Sequence, residues 1–128
     1  MAKNVCEKYE IGDIVFVSKA TKTSNNNNID NHLYVIINNT QATKIVSAEY
    51  FGLIVSSQIQ KSKENSHFIY NEPLNASSDN GLDYNSIVKC DEIYSIPPEN
   101  INFKIGSVDI DDFNRFINSM ESALEETE

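Results

Sequence analysis

Apolar residues in this chain arrive in short bursts separated by polar, Asn- and Ser-rich intervals, until a longer stretch near the end changes rhythm. After Gly12-Asp13 the β-branched and aromatic run DIVFVS predicts a strand over residues 13–18. Residues 21–28, rich in Thr and Asn, predict a loop. The run HLYVIIN that follows is apolar at successive positions, so it predicts a central strand covered on both faces. Further strands are predicted over residues 50–57 and 67–71, with a connection over 38–44 between the second and third. PLNASSDNGLDYN reads as a turn region, and SIVKCDEIYSI (residues 86–96) as one long strand or two bent ones. Asp91-Glu92 there marks a kink or a solvent-facing pair, and PPEN then breaks the sheet.

From this point the period becomes helical. Ile110, Phe113, Phe116, Ile117, Met120, Ala123 and Leu124 recur at three- and four-residue spacing. Asp109 is placed to cap that helix, with Asp111 and Asp112 near its positive end. Several short strands followed by one helix predict a mainly β fold, a small curved sheet or barrel covered by the helix. The expected organisation is one domain over residues 1–128, with flexible ends at 1–9 and 125–128.

Composition narrows the function. With 40% hydrophobic residues and 9% aromatics the chain is long enough for one modest core. No run approaches the ~20 apolar residues of a membrane span. MAKNVCEKYE is too polar for a signal peptide, so a cytoplasmic protein without membrane contact is expected. Cys6 and Cys90 belong to no CxxC pair and only two histidines exist, which argues against a zinc site; no metal and no cofactor are expected. Cys90, ending an apolar run, reads as a buried small hydrophobe. The net charge of −9 works against non-specific attraction to a polyanion, although much of the acid lies in residues 109–128. Arg115, within that acidic stretch, is the one arginine of the chain.

Phosphate-binding loop, dinucleotide fingerprint, nucleophile elbow and zinc-protease motifs are all missing from the sequence. What remains is a set of small polar groups at strand ends: His32, Ser56, Ser57, Gln58, Gln60, Lys61, Lys63 and His67. The segment SSQIQKSKENSH carries hydroxyls, amides, two ammonium groups and an imidazole within twelve residues. Such an inventory suits a phosphodiester: Lys neutralises, hydroxyls and amides orient, and His transfers protons near neutral pH. It equally suits a solvated hairpin loop. Tyr34 and Tyr94 fit either stacking of unpaired bases or an ordinary core.

GDIVFV, LYVIIN, LIVSSQIQKSK with its later histidine, and GLDYNSIVKCDEIYSI occur in that order, followed by INFKIGSVDIDDFNRFINSMESAL. In order and spacing they resemble the MazF/PemK (Kid) toxins of bacterial toxin–antitoxin modules, over residues 10–124, with residues 81–124 carrying most of the weight. The resemblance implies an SH3-like, CcdB/MazF-type barrel with a terminal helix, acting as a homodimer. It implies sequence-selective, metal-independent cleavage of single-stranded RNA, in which the ribose 2′-OH attacks its own phosphate, and a cognate antitoxin as partner. The Asn-rich segment would then be a flexible loop closing over RNA.

Carried over by position, Ser56 matches the family's Thr or Ser, with Ser57 its neighbour and Gln58 the amide of the motif. Lys61, Lys63 and His67 match a family version that continues to a histidine. The family's R-P-x-x-V-I is here Asn31-His32-Leu33-Tyr34-Val35-Ile36, so its arginine is missing, and Q-I-R-T-I has become Glu92-Ile93-Tyr94-Ser95-Ile96. Two readings follow. In one, His32, Ser56 and His67 do the chemistry while Asn31, Ser57, Gln58, Lys61, Lys63 and Tyr94 hold substrate, a lysine serving as a point charge where the family has a bidentate fork. In the other, catalysis is lost and the barrel is a protein- or RNA-binding module.

Overall fold

The computed structural model describes residues 9–38, 49–57 and 69–126. Six strands and one helix follow in the order β1 (Asp13–Lys22), β2 (Asn28–Ile36), β3 (Tyr50–Ser56), β4 (Asn71–Leu74), β5 (Ser86–Ile96), β6 (Ile101–Ser107) and α1 (Ile110–Glu126). The sheet order is β4-β5-β3-β2-β1-β6, and β5 also pairs with β1 through Thr21↔Ser95 and Lys22↔Tyr94. That extra pairing closes β1, β2, β3 and β5 into a four-stranded barrel, with β4 and β6 as outer strands and α1 packed against β5 and β4.

Closure depends on β5 changing partners along its length. One edge runs beside β3 throughout; the other pairs with β4 in the first half and with β1 near the end. Between them the register against β3 jumps from Val55↔Val88 to Leu53↔Ile93. A bulge of this kind bends the strand and turns a corner. Asp91 and Glu92 stand in it, as a kink would require; Asp91 is exposed, while Glu92 is half-buried and meets Lys22 at 3.9 Å.

Alternate side chains of the strands feed two separate cores. The barrel interior takes Val15, Val17, Tyr34, Ile36, Ile54, Tyr94, Ile96 and Ile101. The outer face, under the helix, takes Ile14, Val35, Leu53, Val55, Val88, Cys90 and Phe116. β2 is central and covered on both faces, and Cys90 is fully buried as its apolar neighbours predicted. On α1, Phe113, Phe116 and Met120 join the second core and Ala123 is buried, whereas Ile110 and Leu124 are exposed. The Asp109 carboxylate accepts from the Asp112 N–H at 2.8 Å, the predicted cap.

Several expectations move. The loop expected over 21–28 is shorter, spanning 23–27: β1 runs to Lys22, β2 starts at Asn28, and a tight turn joins them. In that turn Asn26 has φ 63°, its N–H donates to the Lys22 carbonyl, and the Asn27 N–H donates to the Asn25 side chain. Asparagine tolerates left-handed backbone and bonds its own turn, so an Asn run can make a compact hairpin. The fourth strand lies at Asn71–Leu74, later than predicted, and contains Pro73, which an outer strand accommodates. β6 was not predicted at all. At the ends, Tyr9 is buried and its N–H donates to the Tyr50 hydroxyl. Helix α1 continues to Glu126, whose carboxylate accepts from Tyr70 and pushes that phenol up to about 12.

The lone arginine ties the helix to β4. Glu72, whose side chain is 3% exposed, takes the Arg115 guanidinium at 3.0 Å and a hydrogen bond from the Ser119 hydroxyl. Arg115 also donates to Asp112 at 2.8 Å and to the Pro73 carbonyl at 2.9 Å. Burial pulls the Arg115 pKa down, but the hydrogen bonds it donates to Asp112 and Glu72, with their charges, outweigh that, and the net direction is up.

Candidate active site

On the outer face, beyond the second core, the barrel leaves an open cavity of about 250 Å³. Four strands and one loop build it. Phe16, Leu33, Val55 and Leu82 supply apolar walls; Asn31, His32, Ser57, Asp83, Tyr84 and Ser86 supply polar groups. Residues that carry an imidazole, a carboxylate, two hydroxyls, an amide and a phenol therefore line one concave surface. Apolar walls with a few convergent polar groups are what a small binding site requires.

β2 contributes three successive residues: Asn31 and Leu33 share the outer face, while His32, paired with Val17, has the parity of the barrel interior and lines the cavity from the strand's edge. The β1–β2 pairing is regular from Ile14↔Val35 to Val17↔His32 and resumes at Lys19↔Asp30. At the interruption stands Asn31, with φ 54° inside a strand. A non-glycine residue in that region is uncommon, and such outliers gather at functional sites. His32, half-buried beside it, is mid-strand rather than at a loop boundary.

The second wall is a loop held rigid by asparagines. Asn80, 4% exposed, donates to the Asn75 carbonyl at 2.8 Å and accepts from the N–H groups of Ser77 and Leu82, each at 3.0 Å. The Asn85 side chain accepts from the Ala76 N–H at 2.8 Å, and the Ser86 hydroxyl donates to the Tyr84 carbonyl. Gly81 (φ 74°) and Gly106 let this loop lie directly on β6. A Cβ at Gly81 would stand 2.1 Å from the Ile105 carbonyl oxygen, and one at Gly106 would stand 2.4 Å from the Asn80 backbone. Asp83 and Tyr84 are thus presented from a fixed support.

Of the residues predicted from sequence, the cavity brings together Asn31, His32 and Ser57. Ser56 does not line it. Leu53 and Val55 face the second core and Ile54 the barrel interior, so alternation puts Ser56 on the Ile54 face and Ser57 at the cavity. Gln58, Lys61, Lys63 and His67 lie outside the described residues. Tyr94 sits in the barrel interior, 3% exposed, with its ring 5.2 Å from that of Tyr34 and its hydroxyl donating to Glu92 at 3.3 Å. Burial first, then the Glu92 charge and hydrogen bond, push its phenol up to about 12. Tyr94 is a core residue and offers no surface for a base.

Sequence reasoning passed over Phe16, Leu82, Asp83, Tyr84 and Ser86. The available signal was GLDYNS, a cluster of polar groups immediately before a buried strand. Among the described residues neither lysine nor arginine lines the cavity, and no group of three or more His, Cys, Asp or Glu side chains could hold a metal ion. No described helix is long and apolar enough to cross a membrane.

A closed four-stranded barrel with outer strands, a terminal helix and a polar cavity beside β2 defines a class of small β-barrel proteins, and comparison places the chain within it. It belongs to the family of PemK-like, MazF-like toxins of type II toxin–antitoxin systems, whose model matches residues 10–123. Among solved structures it is similar to an endoribonuclease in complex with its cognate antitoxin, from a mycobacterial species. That likeness has TM-score 0.63 and 12% identity, covering 93% of this chain and 95% of that one. It is also similar to the Mycobacterium tuberculosis toxin MazF-mt6, with TM-score 0.60 and 14% identity over 88% of this chain and 96% of the other. Comparison with curated proteins gives no sequence match. At these identities the structural likeness establishes the fold, which is the barrel and terminal helix expected from the sequence.

Proposed function

We propose that this protein is a sequence-selective endoribonuclease that cleaves single-stranded RNA without a metal, and that the cavity beside β2 is its active site. The observation that carries this reading is the convergence of Asn31, His32 and Ser57 on one cavity within a family of toxins. The ribose 2′-OH attacks the adjacent phosphorus, and His32 accepts its proton. The P–O5′ bond breaks, leaving a 2′,3′-cyclic phosphate, and the 5′-oxygen takes a proton from a second acid, a role assigned to His67. The Ser57 hydroxyl and Asn31 amide donate to the phosphoryl oxygens as negative charge develops on them. Lys61, Lys63 and Gln58 are proposed to hold the flanking phosphates, and Ser56 to position the strand end that carries Ser57. The partners are single-stranded RNA, a cognate antitoxin and a second copy of the chain, in the cytoplasm.

Incubation of the purified protein with mixed-sequence RNA in EDTA should yield 2′,3′-cyclic phosphate ends. The variant His32→Ala should lose about 10²–10⁴ in rate and Ser57→Ala less. Full activity in both variants, or none in the wild type, removes the reading.

One observation favours a second reading, a barrel that binds without cutting. The chain's single guanidinium is held by Glu72 and Asp112 on the helix side, so it cannot substitute for the arginine that Asn31 replaces. Growth arrest on expression that persists in a His32→Ala/Ser57→Ala double variant would support it.

A further inference from the structure

Beside the cavity, on the same outer face, two aromatic rings lie face to face. Phe16 of β1 and Phe103 of β6 are cross-strand partners, with ring centroids 5.3 Å apart and planes 9° from parallel. Phe16 is at once a wall of the cavity and the support of Phe103. One face of the Phe103 ring is covered by Phe16, yet the residue stays 52% exposed on an outer strand. A large apolar ring in that position contributes nothing to either core. Tyr84, 73% exposed, also lines the cavity.

We propose that the Phe16–Phe103 stack is a base-stacking platform that extends the RNA site, holding the base of a nucleotide next to the phosphodiester in the cavity. This inference rests on the RNA reading above. Continuity supports it, because Phe16 belongs to both surfaces. Charge supports it as well. In a protein of net charge −9, the two lysines proposed above to hold flanking phosphates supply only a modest counterion-release contribution. Stacking is insensitive to charge, and every base has a π face. Phe103 carries no hydrogen-bonding group, so the platform reads ring area rather than base edges and favours purines over pyrimidines.

The test is binding of short random-sequence 2′-O-methyl RNA, which cannot be cleaved, followed by fluorescence anisotropy at low and moderate salt, with size-exclusion chromatography alongside. Phe103→Ala and Phe103→Leu should weaken binding roughly five- to a hundredfold, and Phe103→Trp should retain it. The salt dependence should be shallow in all of them. Wild-type affinity in Phe103→Leu overturns the platform while leaving the RNA reading intact. Loss of RNA binding that tracks a change in oligomeric state overturns it in favour of a contact between copies. Failure of the wild type to bind the RNA overturns the RNA reading itself, and the platform with it.

Discussion

The two sides of this barrel treat polar groups in opposite ways. On the helix side, Arg115, Glu72, Asp112, Ser119 and the Pro73 carbonyl form a connected set that fixes α1 to β4. Glu72 is buried there, and a buried carboxylate survives only when paired and hydrogen-bonded. On the cavity side, Asn31, His32, Ser57, Asp83 and Tyr84 line open space that no described cation fills. One arginine serves the whole chain, and it stabilises the helix rather than facing the cavity. The contrast separates architecture from chemistry: a saturated network holds shape, whereas the polar groups around the cavity are those that, on the function proposed above, meet RNA.

Moving the guanidinium across the barrel should produce the largest effect. Asn31→Arg puts an arginine where the family has one, and donors to a developing phosphoryl charge are worth ~10²–10³ in rate. The left-handed backbone at Asn31 costs such a residue about 1–2 kcal/mol, so the expected outcome is roughly a tenfold or greater gain in cleavage with lower stability. Single-turnover cleavage and urea unfolding report the two separately. An inert Asn31→Arg that still binds RNA would show that the position does not face the reacting phosphate.

Removing the guanidinium from the helix side should act on stability alone. Arg115→Ala leaves Glu72 buried without its charge partner, a loss of about 3 kcal/mol, the low end for a buried pair because Arg115 is 36% exposed. Cleavage per folded molecule should be unchanged. A large drop in turnover at full stability would erase the distinction between the two sides.

Gly106→Ala connects them. Its Cβ would meet the Asn80 backbone at 2.4 Å, so the loop bearing Asp83 and Tyr84 must lift from β6. A stability loss of about 1–3 kcal/mol should come with weakened RNA binding, measured by anisotropy at a temperature where the variant is folded. The smallest effect is alkaline. The Tyr94 phenol is pushed up to about 12 by burial, then by Glu92, so the folded state keeps a proton that the unfolded chain loses near its ordinary value of 10.0. Its contribution is complete below pH 10 and is lost as pH rises toward 12. Urea midpoints between those values should fall with pH, and less steeply in Tyr94→Phe.

How far the sequence was legible follows from how much contrast each segment offers. The helix and its cap could be read because three- and four-residue spacing and an acidic N-terminus coincide. β6 could not, although Ile101, Phe103 and Ile105 alternate, because a proline pair before it and a helical pattern after it hide a short outer strand. The face of Ser56 and Ser57 was undecidable for a related reason. β3 is apolar on both sides, so no polar partner marks which parity meets the cavity.

The sequence by itself determined the element types apart from β6, a double-faced central β2, a buried Cys90, a break in pattern at Asp91-Glu92 and the family, since each depends on neighbours along the chain or on ordered motifs. Tertiary structure decided what depends on residues distant in sequence. It placed Tyr94 in the barrel interior and Ser57 rather than Ser56 at the cavity. It turned the asparagine run into a tight hairpin. It brought GLDYNS over β2, set Phe103 on Phe16, and gave the lone arginine to Glu72. The physical reason is common to all of these. Local propensity and period fix what a segment becomes, but which face it turns inward, and what it meets there, is settled only when the barrel closes.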